Sequence, residues 1–536
     1  MMKPTSATRR RSLATPLALL VLAWIPAAVR GATEDEERMN ILVLTIDDMN
    51  CDSVGAFGCS TPDTTPNMDR FAEQAMRFMH AHVHTTSCIP SRNIVQSGRY
   101  LYNSGIEGFY ELPEEQVTFA TTPDILRDNG YFTIIRGKSD HSSPYEPYPA
   151  WDLNFDSELE QRRRNPRQTK SFYQYTKRGI EAAKAAGKPF YFSMDIHDPH
   201  TPLYSFSHKK GESSTRPTRY DIQNRPSRVF SADEITMPKF LPDTQLARKE
   251  VTAYYNSVRR GDDSFGYVMQ ALKDTGVYEN TLIIFFSDHG MPFPFAKTSL
   301  YYHSTHTPLM VHWPGVTEGG ATDGEHLIGT VDILPTLLEA LGIENPAGLD
   351  GRSFASILHG EAQDDRDFVY LMYEENAGGH RQPARAISSR DHSYICNLWS
   401  DGERVFETVT TGMATTQELE RLAEEGHEHS MQRLELYTHN VPEQFFDLQR
   451  DPDALHNLID DPEHAELIDG YREQMVKAMQ ASGDPMLSIY RNRHDTEAVA
   501  AYLDRLDSES KERMAGTAYL RTGKQRAGAA RNTDDD

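Results

Sequence analysis

Short apolar runs alternate with longer amphipathic stretches along the chain from residue 39 onward. Runs rich in β-branched and aromatic residues predict strands at 41–46, 131–135, 189–194, 282–286, 309–312 and 327–331. Apolar positions at helical spacing predict helices at 66–79, 170–186, 243–275 and 333–341. Strands that alternate with helices are typical of a mostly parallel sheet with helices on both faces. The pattern therefore predicts an α/β fold for this part of the chain.

The pattern changes after about residue 365. Shorter strands are predicted at 368–373, 384–389 and 394–397, and helices follow at 416–425 and 464–481. This order predicts a smaller α+β domain docked on the first. Residues 522–536 are rich in glycine, alanine and charged residues, which predicts a disordered tail. The predicted units are thus a main domain at 32–365, a C-terminal subdomain at 366–521 and the tail.

The N-terminus has the pattern of a secretory signal peptide. Three arginines at 9–11 precede an apolar run at 13–29, and small residues follow at Gly31 and Ala32. The run contains two prolines and is short for a membrane span, and no later segment is apolar enough to cross a bilayer. We therefore expect residues 1–31 to be removed, the protein to be exported to the periplasm or secreted, and no membrane partner.

Composition narrows the class of partner. The 536 residues include 79 acidic and 55 basic side chains, which give a formal net charge of −24. Such a surface keeps a protein soluble and argues against broad binding to nucleic acid. An anionic substrate remains compatible with this charge, because a few cations and a metal ion in a pocket can reverse the local field. Composition alone therefore leaves the sign of the substrate open.

The four cysteines are too few to form a disulfide scaffold in a chain of this length. Cys51 and Cys59 could pair with each other in an oxidising compartment. Cys396 lies in an apolar, strand-like run, so we expect it to be buried. Cys88 differs from these, because its surroundings are polar and rich in turn-forming residues. Cys88 is therefore the cysteine that the sequence marks for chemistry.

Acidic residues follow two of the predicted strands. Asp47 and Asp48 come after the strand at 41–46, and Asp288 and His289 come after the strand at 282–286. Ligands of open α/β sheets bind beyond the carboxyl ends of the strands, so these side chains can converge there. Three carboxylates and an imidazole would repel one another unless a divalent cation lay between them. Oxygen ligands suit Ca²⁺ or Mg²⁺, and a histidine makes Mn²⁺ conceivable. Either pair alone could instead be a capped turn at a strand end.

The segment CIPSR at residues 88–92, which continues to SGR at 97–99, resembles the signature of the type I sulfatases. In that family the cysteine is oxidised to formylglycine by a dedicated maturation enzyme. The segment lies after one acidic pair and before the Asp-His-Gly at 288–290, which is the order that the family shows. The alternative is an unmodified Cys88 in a catalytically silent glycan-binding or structural protein.

The resemblance implies an alkaline-phosphatase-like sandwich, with residues 32–365 as the catalytic domain. Hydrated formylglycine has two geminal hydroxyls, of which one, held by the metal, would attack sulfur. The second would lose its proton, so that the aldehyde re-forms and sulfate is expelled. The metal ligands that the resemblance implies are Asp47, Asp48, Cys88, Asp288 and His289.

The remaining catalytic positions also follow from the resemblance. Arg92 would stabilise the nucleophile, Lys138 and Lys297 would bind sulfate, and His200 would contact sulfate and help protonate the leaving group. The family's Gly-Lys-x-His element is altered here, because the histidine comes one residue late, as His141. Either the loop bulges and His141 serves, or that role is lost or moved.

Three further histidines lie near these motifs. His197 is expected to be structural or to support the residues that contact the substrate. His303 and His306 fall near the expected pocket, and each is equally well interpreted as a surface-loop histidine.

Several further segments resemble the heparan N-sulfatase (sulfamidase) branch in particular. They are HDPH at 197–200, SDHGMPFP at 287–294 and KTSLY at 297–301, and the similarity extends to residues 445–458. His289 departs from that branch, which has asparagine there, so Ca²⁺, Mg²⁺ and Mn²⁺ all remain candidates.

The resemblance implies a substrate class as well. The expected substrate is a sulfated glycan or small sulfated sugar, and the choice between a sulfate ester and a sulfamate stays open. The expected protein partner is a formylglycine-generating or anaerobic maturation enzyme. The alternative activity is that of a phosphoester or phosphonate hydrolase of the same superfamily.

Overall fold

A computed structural model describes residues 38–157, 166–209 and 212–516. The predicted signal peptide at 1–31 and the predicted tail at 522–536 lie outside the described residues, so both stay predictions. Within the described ranges, no helix has both the length and the apolar character that crossing a membrane requires.

The strands, in chain order, are β1 (Asn40–Asp47), β2 (Met76–Phe78), β3 (Ala81–His82), β4 (Phe132–Arg136), β5 (Leu153–Asn154), β6 (Phe190–Pro199), β7 (Ser207–Lys209), β8 (Glu212–Ser214), β9 (Thr281–Ser287), β10 (Leu309–His312), β11 (Thr322–Asp323), β12 (Ile328–Gly329), β13 (Val369–Glu375), β14 (Arg381–Ser388), β15 (His392–Asn397) and β16 (Glu443–Asp447). The α-helices are α1 (Pro66–Ala72), α2 (Cys88–Ser97), α3 (Leu101–Ser104), α4 (Thr122–Asp128), α5 (Thr169–Ala185), α6 (Arg219–Gln223), α7 (Gln245–Asp274), α8 (Tyr302–Thr305), α9 (Ile333–Ala340), α10 (Ala355–Leu358), α11 (Ala414–Glu424), α12 (Glu428–Thr438), α13 (Ala465–Ser482), α14 (Leu487–Arg491) and α15 (Thr496–Gly516).

The large sheet has the strand order β11-β2-β10-β9-β1-β6-β4-β5. Strand β10 runs antiparallel to β9 and β2, whereas every other neighbouring pair is parallel. The carboxyl ends of β1, β6 and β9 therefore meet at one edge, where Ile46 lies opposite both Ile196 and Ser287. The predicted α/β class with a mostly parallel sheet is confirmed.

Helices cover both faces of this sheet, and residues 41–44 of β1, which point alternately to the two faces, are all apolar. Leu42 and Leu44 face the core that contains α5 and α7 residues, whereas Ile41 and Val43 face a second core that contains α4 and α9 residues. A strand buried on both faces reads as a continuous apolar run, as this one does. The 30-residue helix α7 has nearly the bounds that its periodicity predicts.

Two predicted elements are wrong in part. The helix predicted at 66–79 ends at Ala72, and the chain then forms β2, which pairs with β10 and β11. The strand predicted at 327–331 shortens to β12, which pairs with β3 in a separate two-stranded sheet. In both places pairing with distant segments overrides the local pattern.

The C-terminal part contains a second, four-stranded antiparallel sheet in the order β13-β14-β15-β16. Residues on one face pack against α13 and α14, with Tyr394, Phe445 and Met475 in the shared core. The predicted α+β unit is thus confirmed as an architecture. The domain boundaries at 32, 365 and 521 stay predictions.

All four cysteines are free, so the disulfide that was possible between Cys51 and Cys59 is not formed. Cys51 is packed in the main core, and Cys59 is half-buried, with its thiol hydrogen-bonded to Thr64. Their thiols are engaged in packing and local hydrogen bonding instead. Cys396 is buried, as predicted.

Candidate active site

The edge where β1 and β9 end brings the predicted acidic residues together. Asp48 has a left-handed backbone (φ 66°), and this turn directs its N–H to Asp288 Oδ1 at 3.1 Å. Asp47, Asp48, Asp288 and His289 are all completely buried. The parallel pairing of β1 with β9 therefore produces the convergence that the strand-end positions predict.

Cys88 is the first residue of α2, which starts beneath this edge. Pro90 in the first turn costs no helical hydrogen bond. The helix ends at Ser97, and Gly98 caps it with a left-handed backbone and an N–H that donates to the Ile94 carbonyl. The Cys88 Sγ lies 3.2 Å from His289 Nε2 and 3.9 Å from Asp47 Oδ1. The helix start thus places the sulfur among the acidic residues.

The donor set at this place fits a divalent cation. One ligand atom from each of Asp47, Asp48, Cys88 and His289 lies within 4.8 Å of the others. Burial alone would lower the pKa of His289, but Asp288, Cys88 and Asp48 together raise it to about 9. The site therefore attracts positive charge, which a metal ion would supply. Asp288 is not in this group. Its Oδ1 accepts from the Asp48 N–H and its Oδ2 accepts from Arg92, and its role as a ligand stays a prediction.

Arg92 joins three carboxylates in the protein interior. Its Nη2 lies 2.7 Å from Asp195 Oδ1, 2.8 Å from Asp288 Oδ2 and 3.6 Å from Asp47 Oδ1. Asp195 is the residue that the sequence interpretation missed. It lies inside β6, which also contains Asp198, so an acidic residue in this strand is not by itself a signal that identifies Asp195.

Two lysines neutralise the acidic pair at the end of β1. Lys138 Nζ lies 2.8 Å from Asp47 Oδ2, and Lys297 Nζ lies 2.6 Å from Asp48 Oδ1. Burial would raise the pKa of Asp47, but Lys138, His200 and Arg92 hold it well below its ordinary value. Both carboxylates are therefore ionised and available as ligands.

The Lys138 loop needs an unusual backbone. Gly137 has φ 87°, and a Cβ there would come within 2.8 Å of Asp195 Cβ, so only glycine fits. Lys138 itself is left-handed (φ 58°), as is Thr298 (φ 60°), which follows Lys297. Such conformations cost about 1–3 kcal/mol each and persist where the surroundings enforce them. The two sulfate-binding candidates thus lie on loops with strained backbones.

His200 follows β6, whose end is held by an ion pair with α7. Arg260 donates to Asp198 Oδ2 at 2.7 Å and to Oδ1 at 2.8 Å, and both side chains are buried. The His200 Nδ1–H donates to the Thr201 carbonyl at 2.6 Å. In the neutral ring, Nε2 is therefore the nitrogen that carries no proton. Burial lowers the pKa of His200 to about 4, and Lys138 and Lys297 act in the same direction.

A cavity of about 650 Å³ opens above these groups. The predicted residues that line it are Cys88, Lys138, His141, His200 and Lys297. The His141 ring packs edge-on against Phe109, and its Nδ1 has no hydrogen-bond partner among the described residues. His141 thus faces the same cavity as Lys138, although the role of the displaced family histidine stays a prediction for it.

His197, His303 and His306 are not among the residues that line the cavity. His197 Nδ1 lies 3.1 Å from Asp195 Oδ2, which fits the predicted supporting role. His303 contacts Asp453 at 3.3 Å, and His306 bonds to the Met79 carbonyl at 2.8 Å. Both are largely buried, so they are not surface-loop histidines. Neither is among the residues that line the cavity.

Replacing Arg92 by methionine is expected to lower the free energy of unfolding by about 3–5 kcal/mol, because it leaves Asp195 and Asp288 buried without their cation. Urea denaturation measures this change. The control is Arg450→Met, whose side chain is 87% exposed, and it should change stability by less than about 0.5 kcal/mol. A loss below about 1 kcal/mol for Arg92→Met would contradict the buried network.

The chain belongs to the sulfatase family, a family of sulfuric ester hydrolases whose model matches residues 39–343. A second model, described as the C-terminal part of N-sulphoglucosamine sulphohydrolase, matches residues 288–408. Human N-sulphoglucosamine sulphohydrolase is 28% identical over 465 residues, which cover 83% of this chain and 91% of that protein. An ulvan-active sulfatase of Formosa agariphila is 25% identical over 468 residues, covering 84% and 76%. The resemblance to the sulfamidase branch is thereby confirmed.

Solved structures share the fold. A structure described as a complex with its substrate D-glucosamine-2-N,6-O-disulfate matches with a TM-score of 0.61 at 17% identity, covering 84% of this chain and 99% of the other. The phosphonate monoester hydrolase of Agrobacterium radiobacter matches with a TM-score of 0.56 at 18% identity, covering 83% and 96%. This chain therefore shares its alkaline-phosphatase-like fold with both structures.

Proposed function

We propose that the protein hydrolyses sulfate ester or sulfamate groups of a sulfated glycan or small sulfated sugar, with a formylglycine made from Cys88 as the nucleophile. The observation that carries this proposal is the position of Cys88. Its sulfur lies 3.2 Å from His289 Nε2 in the candidate metal cluster, and the same residue lines the cavity. The names of the human and Formosa relatives support a sulfated sugar as substrate.

The candidate metal ligands are Asp47, Asp48, Cys88 and His289, with Asp288 beside them. A divalent cation bound there supplies positive charge that favours ionisation of the nucleophile. Carboxylate-rich donors favour Ca²⁺, and the imidazole keeps Mg²⁺ and Mn²⁺ as alternatives. Arg92 would keep the three surrounding carboxylates ionised and in place.

The cations of the cavity would bind the sulfate group. Lys138 and Lys297 lie on two of its walls, paired with Asp47 and Asp48, and would orient the sulfate oxygens toward the nucleophile. The anionic sulfate would favour protonation of His200. Because the pKa of His200 is lowered to about 4, its protonated form would readily give a proton to the leaving group.

Maturation of Cys88 has to precede folding under this proposal. The residue is only 2% exposed and is the first residue of a helix that is buried along its whole length. A second enzyme cannot reach such a side chain in the folded protein. The proposed partner, a formylglycine-generating or anaerobic maturation enzyme, would therefore act on the unfolded chain. The predicted signal peptide would direct the export of the protein.

Three measurements on protein from a host with active maturation test the proposal and its alternative. Mass spectrometry of the peptide that contains Cys88 should detect formylglycine, and a thiol there would contradict the nucleophile. Sulfate release should be detected from at least one member of a panel of glucosamine N-sulfate, heparan-derived oligosaccharides and ulvan oligosaccharides. Aryl phosphate turnover that exceeds aryl sulfate turnover, relative to the uncatalysed rates, would favour the phosphoester or phosphonate hydrolase alternative.

A further inference from the structure

One side of the mouth of the cavity is formed by segments that the proposed chemistry does not use. They are the turn between β13 and β14 and the segment that leads to residues 409–412, and their lining residues include Asn376, Gly378, His380, Glu407 and Thr408. Both segments belong to the C-terminal part of the chain. The scissile sulfate and the rest of the substrate would therefore meet different parts of the fold.

A single buried amide holds these two segments together. Asn376 Oδ1 accepts the backbone N–H groups of Gly378 at 2.7 Å and of His380 at 3.0 Å, and Asn376 Nδ2 donates to the Glu407 carbonyl. Asn376 is 5% exposed. Asn376 therefore fixes the backbone at His380 and Glu407.

A second link ties this side of the mouth to the floor of the cavity. The hydroxyl groups of Thr298 and Thr408 lie 2.5 Å apart. Thr298 directly follows Lys297, and Thr408 directly follows Glu407. Glu407 therefore keeps a fixed relation to one of the lysines that would bind the sulfate.

The last described helix supports the turn from behind. Ser510 Oγ donates to the Gly379 carbonyl at 2.7 Å and to Glu375 Oε2 at 3.0 Å, and Arg513 also donates to Glu375. Glu375 is fully buried. Helix α15 thus holds the β13–β14 turn against the cavity.

The charges of the cavity are arranged in two zones. Lys138 and Lys297 lie at the inner end, whereas Glu407 and Asp140 bring carboxylates to the lining. The side chain of Glu407 is 63% exposed, and its Oε2 lies 3.2 Å from His380 Nε2. A carboxylate accepts hydrogen bonds from sugar hydroxyl or amino groups, and it repels a second sulfate.

We propose that Glu407 and His380 contact the sugar beyond the scissile sulfate and select substrates that carry hydroxyl or amino groups there rather than a second sulfate. This inference deepens the proposed function and rests on it. A sugar seated with one sulfate on Lys138 and Lys297 presents its far side to the mouth. Glu407 therefore discriminates by charge, and His380 adds a hydrogen-bonding partner beside it.

Calorimetry on the full chain with Cys88→Ala tests the inference, since this variant lacks the proposed nucleophile and a bound sugar would not be turned over. The probes are glucosamine N-sulfate and glucosamine N,6-O-disulfate, which differ by one sulfate on the opposite side of the ring. We expect the monosulfate to bind at least about fivefold more tightly than the disulfate. Adding Glu407→Gln should bring the two dissociation constants within about twofold of each other. The control Glu424→Gln removes the same charge from an exposed position of α11 outside the cavity lining and should leave the ratio unchanged.

Several results would overturn the inference. They are tighter binding of the disulfate by the parent, binding of neither sugar, a ratio that Glu407→Gln does not move, or an equal change in the Glu424→Gln control. Sulfate release by the matured wild type is measured separately. A wild type that releases sulfate while the ratio stays fixed defeats only the assignment of Glu407 and His380, whereas a wild type that releases none defeats the proposed function.

Discussion

Replacement of Cys88 by alanine is expected to abolish sulfate release, by about 10⁴-fold or more, while the fold is retained. The reason is that alanine cannot become formylglycine, so the cavity keeps its cations and loses its nucleophile. Removal of one buried sulfur should cost only about 1 kcal/mol of stability. Sulfate release and thermal unfolding of the same preparation measure both effects.

Cys396→Ala is the matched control for this substitution. Both cysteines are 2% exposed, but Cys396 lies in β15 of the second sheet and does not line the active-site cavity. Its loss should lower stability by a similar amount and leave sulfate release within about twofold of the wild type. Near-normal turnover by Cys88→Ala would show that another group attacks the substrate.

Exhaustive chelation is expected to remove all detectable turnover and to lower the melting temperature. The carboxylates of Asp47 and Asp48 would lose the cation that offsets their repulsion, and a ligand at a hundred times its Kd stabilises a protein by about 2.7 kcal/mol. Adding Ca²⁺ back should restore both quantities, and Mg²⁺ and Mn²⁺ should be compared at equal concentration. Calorimetric melting supplies a measurement that does not depend on activity.

Substitution at the metal ligands gives this experiment its control. Asp48→Asn should make the melting temperature insensitive to chelator and to added Ca²⁺, because one charged ligand is gone. Asp460→Asn changes an exposed acidic residue outside the cluster and should keep the wild-type response. Full activity after exhaustive chelation would contradict a metal site formed by Asp47, Asp48, Cys88 and His289.

The sequence predicted the fold where local pattern and tertiary structure agree. The continuous apolar run of β1 and the long periodic stretch of α7 are such places, because burial on both faces or on one face leaves a regular pattern. The stretch from 66 to 79 is the opposite case. Its apolar positions continue at helical spacing, yet residues 76–78 form a strand because β10 and β11 pair with them. Such pairing depends on segments more than two hundred residues away.

The site was predictable to the extent that its residues stand at strand ends or in a motif. Lys138, His200 and Lys297 were assigned in this way, and all three line the cavity with Cys88. Asp195 was missed because its partner Arg92 comes from a distant helix, and only the fold shows that the two meet. The contribution of Asn376 and Glu407 to the mouth was equally hidden, since Asn376 lies in the β13–β14 turn, Glu407 lies in the irregular segment after β15, and neither belongs to a motif.

The support that α15 gives to the mouth has an evolutionary consequence. Ser510 and Arg513 reach the β13–β14 turn from more than a hundred residues further along the chain. Mutations in this helix can therefore shift a turn that lines the cavity while Cys88, Lys138 and Lys297 keep their positions. Descendants of one ancestral gene could acquire new sugar preferences through drift in their last helix, without passing through an inactive intermediate.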